Sequence, residues 1–487
     1  MTIGADKRID FPVVGSFAED PVGKIDAQRT INMYEVLDPD GKKPKHLAPW
    51  PGLDQFREFS AGGIARASIV FKGDVYFAVG NSIYRMDSGF IISILSGPTL
   101  ATSVGHVGVA ANETQVAFVD NATLLIWDTG TATLTDETAQ LTAVNVDPLD
   151  ITYMDSYFIV VNGSSTITNQ FYISDQNNGK SWTSGNFALI ESRPTILSAC
   201  AVLKRRVFFF GETKSEVWLD AGLADFPFRR DNNLLLEHGI KAQASLTEGF
   251  DRLFYLSNDE DGVGSIMMIM GTMPRPISTR EIDETIQNFT TPEDATGFVF
   301  KINGQIFYQI NFSIDQRTFV YNVDTNKWHE LEMLDETRHI GNTHAFYKGR
   351  HFMGSYNDSF LYELGNDFLT NAGERIKRTR IAHVMSSPTY ERIRLNRFHV
   401  DMLQGVGIPD TLGIDADPVI FLSISEDGGV TYHNFDRREV GKSGARVKRT
   451  IWRRLGTRRD AIIKLEMFNN VVYYILGAAA DIEVLPE

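Results

Sequence analysis

Residues 207–220 read VFFFGETKSEVWLD. An apolar run of four, residues 207–210, meets a polar turn at 211–214, and a second apolar run ends on Trp218 and Asp220. β-Branched and aromatic residues on both arms, with turn formers between them, are the signature of a β-hairpin. The same unit recurs. Residues 75–87 read VYFAVGNSIYRMD, residues 116–128 read VAFVDNATLLIWD, and weaker copies begin at Tyr157, Leu253, Ile306 and Phe352. The seven copies start about 40 to 53 residues apart, the period of four-stranded propeller blades. A lone hairpin cannot bury both faces, whereas radial stacking covers each face with the next blade. The expectation is an all-β chain with a propeller of six to eight blades, seven preferred. The seven apolar runs are expected to be the inner strands.

Around this repeat the chain divides into three. Residues 1–55 are an N-terminal arm and part of a docking platform, 56–372 the propeller, and 373–487 a separate C-terminal, β-sandwich-like domain. The arm offers a strand at 30–36, a polar turn at 38–45 and the stiff segment Pro49-Trp50-Pro51-Gly52-Leu53, in which two prolines fix φ. Ile282, Ile286 and Phe289 lie at helical spacing, and Ser278 with Glu281 forms a candidate capping box, so a short helix is expected between blades.

The 487 residues carry a net charge of −15 and one cysteine, Cys200. A single cysteine rules out an intrachain disulfide, and its apolar setting makes it a core residue. No apolar run approaches the ~20 residues of a membrane span, and the opening MTIGADKRIDF has no secretory apolar region. The acidic balance argues against a generic nucleic-acid binder. It leaves room for a wall past which DNA slides. After residue 373 basic residues outnumber acidic ones, notably in ERIKRTR (374–380) and RVKRTIWRRLGTRRD (446–460). Alternation there suggests half-buried strands with one charged face, either solvated or docked on an acidic partner. The docking candidates are Arg375, Lys377, Arg378, Arg380, Arg449, Arg453 and Arg454.

Few motifs point to chemistry. Ser425, Asp427, Gly429 and Tyr432 resemble the Asp-box of sialidase-like propellers, and Ser174, Asp175, Gly179 and Trp182 form a looser copy. In such a box the aspartate accepts backbone N–H bonds across a turn and the aromatic plugs the core, a structural role. The stretch 259–264, DEDGVG, lacks the glutamate a calcium loop needs, since that position is Met270. His339, His344 and His351 lack zinc-ligand spacing, and no phosphate-binding loop or nucleophilic triad is assignable. No catalytic residue, metal or cofactor is expected. Trp127, Trp182, Trp218 and Trp328 sit near blade-motif ends and read as core rather than as a sugar-binding groove.

Several stretches, taken in order, resemble the packaged-DNA stabilisation protein of short-tailed bacteriophages, also called the tail hub or tail nozzle. They are Ile31-Asn32-Met33, Pro51-Gly52-Leu53, SVGHVG (103–108), Phe210-Gly211-Glu212 leading into 216–219, His238-Gly239-Ile240, and IWRRLGT (451–457) with the strand 461–468. The likeness leaves out the loop 221–233. It implies a structural virion protein of the tail, made in the host cytoplasm. It implies a homo-hexameric ring below the head-to-tail adaptor, continuing the DNA channel without reading sequence and holding the genome with a tail needle or plug. Tailspikes or fibres are further partners it leaves open. The competing class is a propeller glycosidase or carbohydrate-binding protein of sialidase-like type, which would need arginines and carboxylates gathered in one funnel.

Overall fold

In a computed structural model, seven antiparallel sheets stand around one axis. It describes residues 7–20, 26–41, 43–190, 196–223, 226–260, 262–387, 389, 391–408 and 415–485. Ala224, Asp225 and Asp261, in two of the loops read above, and the first six residues of the opening segment lie outside the described residues. The innermost strands are Ala65–Phe71, Gly108–Ala111, Pro148–Met154, Leu197–Leu203, Thr247–Gly249, Thr296–Ile302 and Gly341–Tyr347. Each adjoins the next, and the last adjoins the first, so the ring closes at seven blades.

The apolar runs that reveal the repeat are therefore not the inner strands. Asp74–Val79, Gln115–Val119, Tyr157–Asn162, Arg206–Gly211, Arg252–Asp259, Gln305–Phe312 and Arg350–Ser355 are the second strand of each blade. Burial on both faces is greatest in mid-blade, so the second strand carries an unbroken apolar run of several residues. The first strand borders the central channel and mixes small and polar side chains with apolar ones. Between the first two strands, six blades turn on two residues of positive φ, among them Lys72-Gly73, Asn303-Gly304 and Lys348-Gly349. These are the turns whose twist matches paired strands.

Seven apolar layers lie between successive blades. Phe171 stacks on Phe209 between the third and fourth, with centroids 4.2 Å apart, and Phe254 stacks on Tyr308 between the fifth and sixth at 4.9 Å. Trp127, Trp182, Trp218 and Trp328 are all buried in these layers. The expected helix forms as Arg280–Gln287, with Ile282 and Ile286 buried against the fifth and sixth blades. The capping box does not form. Thr279 is the N-cap, and the Ser278 hydroxyl instead accepts the Ile266 N–H at 2.9 Å, bracing a blade strand.

The seventh blade takes its outer strand from the arm. Gly52–Glu58 pairs antiparallel with Phe360–Gly365. The strand thus spans the boundary read at 55/56, tying the start of the chain to the last blade. The rest of the arm enters a β-sandwich with the C-terminal strands. One sheet joins Lys7–Phe11, Met33–Leu37 and Lys45–Pro49 to Ile475–Leu485, Arg392–Met402 and Thr450–Arg453. The other joins Ala27–Ile31 to Arg378–Ile381, Asp460–Met467 and Val419–Ser425. A core of Phe11, Met33, Leu47, Phe398, Trp452 and Leu465, among others, lies between them. This sandwich is not set away from the propeller. Ala27–Ile31 also pairs, in parallel, with Lys327–Glu330, so the sheet of the sixth blade runs on into it.

Closure has a steric signature at Gly52. A Cβ there would lie 2.4 Å from the Phe368 carbonyl oxygen and 2.5 Å from that of Thr370. Next to it Leu53 is wholly buried. We expect Leu53→Ala to cost about 3 kcal/mol, as a buried leucine truncation does, and Gly52→Ala to lower stability through backbone displacement. The control Leu37→Ala, at a half-exposed arm position, should change little. Thermal unfolding of the three variants checks this.

Candidate assembly interface

Asn32 is the pivot between propeller and sandwich. The strand expected at 30–36 breaks there, because Asn32 takes φ 55° and turns the chain from one sheet into the other. Asparagine tolerates this left-handed conformation better than most residues. Its amide nitrogen donates to the carbonyls of Glu332 (2.9 Å) and Lys377 (2.8 Å), one on each side of the junction. Its side-chain oxygen accepts the Glu332 N–H at 3.2 Å, and its backbone carbonyl accepts the Trp50 N–H at 3.0 Å.

Beside the pivot lies a buried ion network. The Arg29 guanidinium grips Glu330 in two bonds of 2.7 and 3.0 Å and reaches Glu332 at 2.8 Å, while Arg317 approaches Glu330 at 2.5 Å. Burial alone would raise the Glu330 pKa, but Arg29 and Arg317 outweigh it and hold the carboxyl below its usual range. The same seam opens into a 720 Å³ cleft edged by both signs of charge, including Lys377, Lys464, Glu336 and Glu466.

The seven basic docking candidates fall into two groups. Four are paired or buried within the chain. Arg375 pairs with Asp415 at 3.3 Å, and Lys377 with Glu336 at 2.7 Å. Arg378 and Arg380 are buried, which corrects the expectation that they meet a partner surface. Arg380 is wholly engaged with the arm, donating to the carbonyls of Val13 (2.6 Å) and Ser16 (3.2 Å), to the Thr30 hydroxyl (3.0 Å) and to Gln28. The strand is covered on both faces at the junction, so alternation there selects neighbours and not solvent.

The other three, Arg449, Arg453 and Arg454, are exposed. Arg449 lines a 560 Å³ cleft on the sandwich with Arg8, Arg397, His399, Arg446 and Lys448. Arg453 faces Arg397 across neighbouring strands. Arg397 is paired with Asp481 at 2.7 Å, and Lys448 with Glu439. Arg8, Arg446, Arg449, Arg453 and Arg454 have no carboxylate partner among the described residues. Burial lowers the His399 pKa and, with Asp401 opposing, so do the neighbouring Arg8, Arg449 and Arg397. Sequence reading missed Arg8 and Arg397, which come from remote segments and meet the 446–449 stretch only through strand pairing.

The Asp-box candidates sit in two separate turns. Asp427 accepts the Thr431 N–H at 2.9 Å and the Thr431 hydroxyl at 2.5 Å, and these bonds hold its carboxyl well below the usual range. Ser425 accepts the Gly429 N–H at 2.9 Å, and Tyr432 packs on Ala27, Ile381 and Ile462. In the third blade, Asp175 accepts the Ser181 hydroxyl at 2.6 Å. There the Trp182 indole donates to the Gly179 carbonyl at 2.9 Å, while Ser174 accepts the Phe158 N–H at 3.1 Å. Both turns satisfy their own hydrogen bonds, the first at the surface, where Asp427 and Thr431 are exposed, and the second with Trp182 buried.

The central channel of the propeller has a volume of 640 Å³. Its one described lining arginine, Arg66, donates to the carbonyls of Gly80, Thr102, Val104 and Gly105. Asp150 in the channel accepts the N–H groups of Ile151 and Cys200 and lies 3.3 Å from His106. These groups staple blades together, and the arginine cluster that a sialidase funnel needs does not assemble among the described lining residues. His344 contacts His351 at 3.0 Å, but among the described residues no three His, Cys, Asp or Glu are placed to hold a metal. No helix among the described residues is long and apolar enough to cross a membrane.

The chain is thus a closed propeller whose sheet continues into a β-sandwich, with the channel groups Arg66 and Asp150 bonded to neighbouring segments of the ring. The chain belongs to the bacteriophage P22 Gp10 family of phage tail proteins, which stabilise packaged DNA. The family's β-propeller model matches residues 14–369 and its β-sandwich model residues 380–483. No curated protein matches the chain. Among solved structures it is similar to the computationally designed Ika8 protein, at 9% identity over 65% of this chain and 100% of that one, with a TM-score of 0.37. The N-terminal domain of Nup159 aligns at 10% identity over 65% and 95% of the two chains, with a TM-score of 0.38. The extracellular domain of the one-component system BT4673 from B. thetaiotaomicron aligns at 9% identity over 89% and 62%, with a TM-score of 0.40.

The seam makes a pH-dependent prediction. Because the folded pKa of Glu330 is depressed, its pairing stabilises the protein above the ordinary glutamate pKa of about 4.3. That stabilisation is lost as pH falls through the lower folded value. Glu330→Gln should cost about 3–5 kcal/mol at neutral pH, as breaking a buried pair does, and the gap from the natural protein should narrow below about pH 4. Melting temperatures of both proteins between neutral and acid pH check this.

Proposed function

We propose that six copies of this chain form a ring beneath the head-to-tail adaptor of the virion, and that the ring continues the DNA channel and helps retain packaged DNA until ejection. The observation that carries this reading is the set of exposed arginines Arg8, Arg446 and Arg449 in one sandwich cleft, with Arg453 beside them opposite Arg397, on a chain of net charge −15. Unpaired guanidinium groups on one face repel one another unless an acidic surface covers them. The adaptor supplies that surface in this reading, with the sandwich and arm as docking platform and Arg449, Arg453 and Arg454 as its contacts. A head-to-tail interface that closes by rotation yields a ring.

The genome's path runs between copies and not through a propeller. A 640 Å³ channel has the volume of a small-ligand pocket, far below what a duplex needs. Residues 56–372 carry 22 Lys and Arg against 38 Asp and Glu, whereas residues 373–487 carry 18 against 15. A lumen faced by the propellers is then acidic or neutral. DNA bears about one charge per 1.7 Å of axis, so such a wall repels it weakly and lets it slide. Retention falls to a tail needle or plug, and tailspikes or fibres are further neighbours in the tail. The protein is made in the host cytoplasm and built into the virion.

The test is charge reversal. Arg449→Glu with Arg453→Glu should weaken binding to purified adaptor by at least about tenfold at low salt, with a smaller loss at high salt, because exposed charges act through a screened field. The melting temperature should stay unchanged. Adaptor binding that is indifferent to the reversal at every ionic strength would contradict the docking face.

A further inference from the structure

A second cavity, of 300 Å³, lies where the arm, the last two blades and the C-terminal strands meet. Five of its fifteen lining residues are aromatic, Tyr34, His46, Trp50, Phe368 and Tyr474, most of the others are aliphatic or amide side chains, and no aspartate or glutamate lines it among the described residues. Arg378 lines it. The contrast with Arg380, two residues along the same strand, is sharp. Arg380 is wholly buried and fully bonded to the arm. Arg378 is 1% exposed, and its Nε and Nη1 donate to nothing in the structure. The Trp50 indole Nε1 in the same wall is also buried and without an acceptor. Buried donors in native proteins are bonded in the great majority, and an unpaired buried charge is costly. Burial pushes the Arg378 guanidinium down to about 10, with Tyr473 opposing, so it is still a cation at neutral pH.

We propose that this cavity is a carboxylate-binding pocket, in which Arg378 and the Trp50 indole donate to a carboxylate carried on an aromatic or aliphatic body. The planar guanidinium fork suits a planar carboxylate, which it can bind through two parallel bonds. The aromatic and aliphatic wall accepts the apolar remainder. A volume of 300 Å³ is at the small end of ligand pockets, so it admits one side chain, a chain end or a small aromatic acid. This pocket lies apart from the exposed arginine cluster, and the inference stands whether or not that cluster meets the adaptor.

The test follows the Trp50 indole resonance of the full chain by NMR. Benzoate should shift it saturably, and neutral benzamide should bind at least about tenfold more weakly, since it lacks the charge. Arg378→Met should abolish the benzoate response while keeping or raising the melting temperature, because it removes an unpaired buried charge. Should that variant fail to fold, the benzoate–benzamide comparison on the natural chain still decides. N-acetyl-glycyl-phenylalanine binding more tightly than benzoate, with its C-terminal amide inactive, would assign the carboxylate to a partner's chain end. Benzoate binding at least as tightly would assign it to a small free acid. No saturable shift with either acid, or an equal response to benzamide, would overturn the proposal.

Discussion

The left-handed turn at Asn32, and the hydrogen bonds that fix it, hold the rest of the molecule in register. Through this residue a single arm serves both halves of the fold. Before it, Ala27–Ile31 extends the sheet of the sixth blade into the sandwich. After it, Met33–Leu37 joins the opposite sheet, and Gly52–Glu58 closes the seventh blade. The arm cannot leave the sandwich without straining the ring, nor the ring open without pulling on the arm. The buried Arg29–Glu330 pair and the fully bonded Arg380 lie beside this crossing and stiffen it. Their contribution is one of geometry, since a buried pair is weak evidence for net stability yet costly to break.

Much of the fold was legible because burial leaves a mark in composition. The second strand of every blade is covered on both faces, and runs such as Val207 to Phe210 announce it at a regular period. The channel-side strands carry no such mark. Ala65–Phe71 and Gly108–Ala111 border water and small polar groups, so their patterns are mixed. The runs were therefore placed one strand too far inward. The two-residue turns at Lys72-Gly73, Asn303-Gly304 and Lys348-Gly349 were a usable signal, since a turn of positive φ just before an apolar run implies a strand ahead of it.

The interface was less legible, for a different physical reason. Alternation tells which side chains share a face of a strand, but not what lies across that face. Arg378 and Arg380 share one periodic stretch with Arg375 and Lys377, and the structure gives the four quite different surroundings. The arm covers Arg380, and a partly aromatic cavity adjoins Arg378. Arg8 lies hundreds of residues before Arg397 and Arg449, which themselves come from different segments, and only strand order brings the three into one cleft. The two Asp-boxes were easier, because their hydrogen bonds are local and the sequence holds both partners.

The partition of charge connects the fold to the role in the tail. An acidic propeller and a basic sandwich face share one continuous sheet, and in the proposed ring the first would face the DNA and the second an acidic neighbour. The central claim is that the chain acts whole, as one wall segment of a ring whose bore lies between copies. The most direct measurement is electron cryo-microscopy of the purified virion at the tail. The account predicts six copies, each fitted by the chain as a single rigid body, with duplex density on the ring axis and none inside any propeller. Copies that fit only after propeller and sandwich are separated, a different copy number, or DNA threading a propeller channel would contradict it.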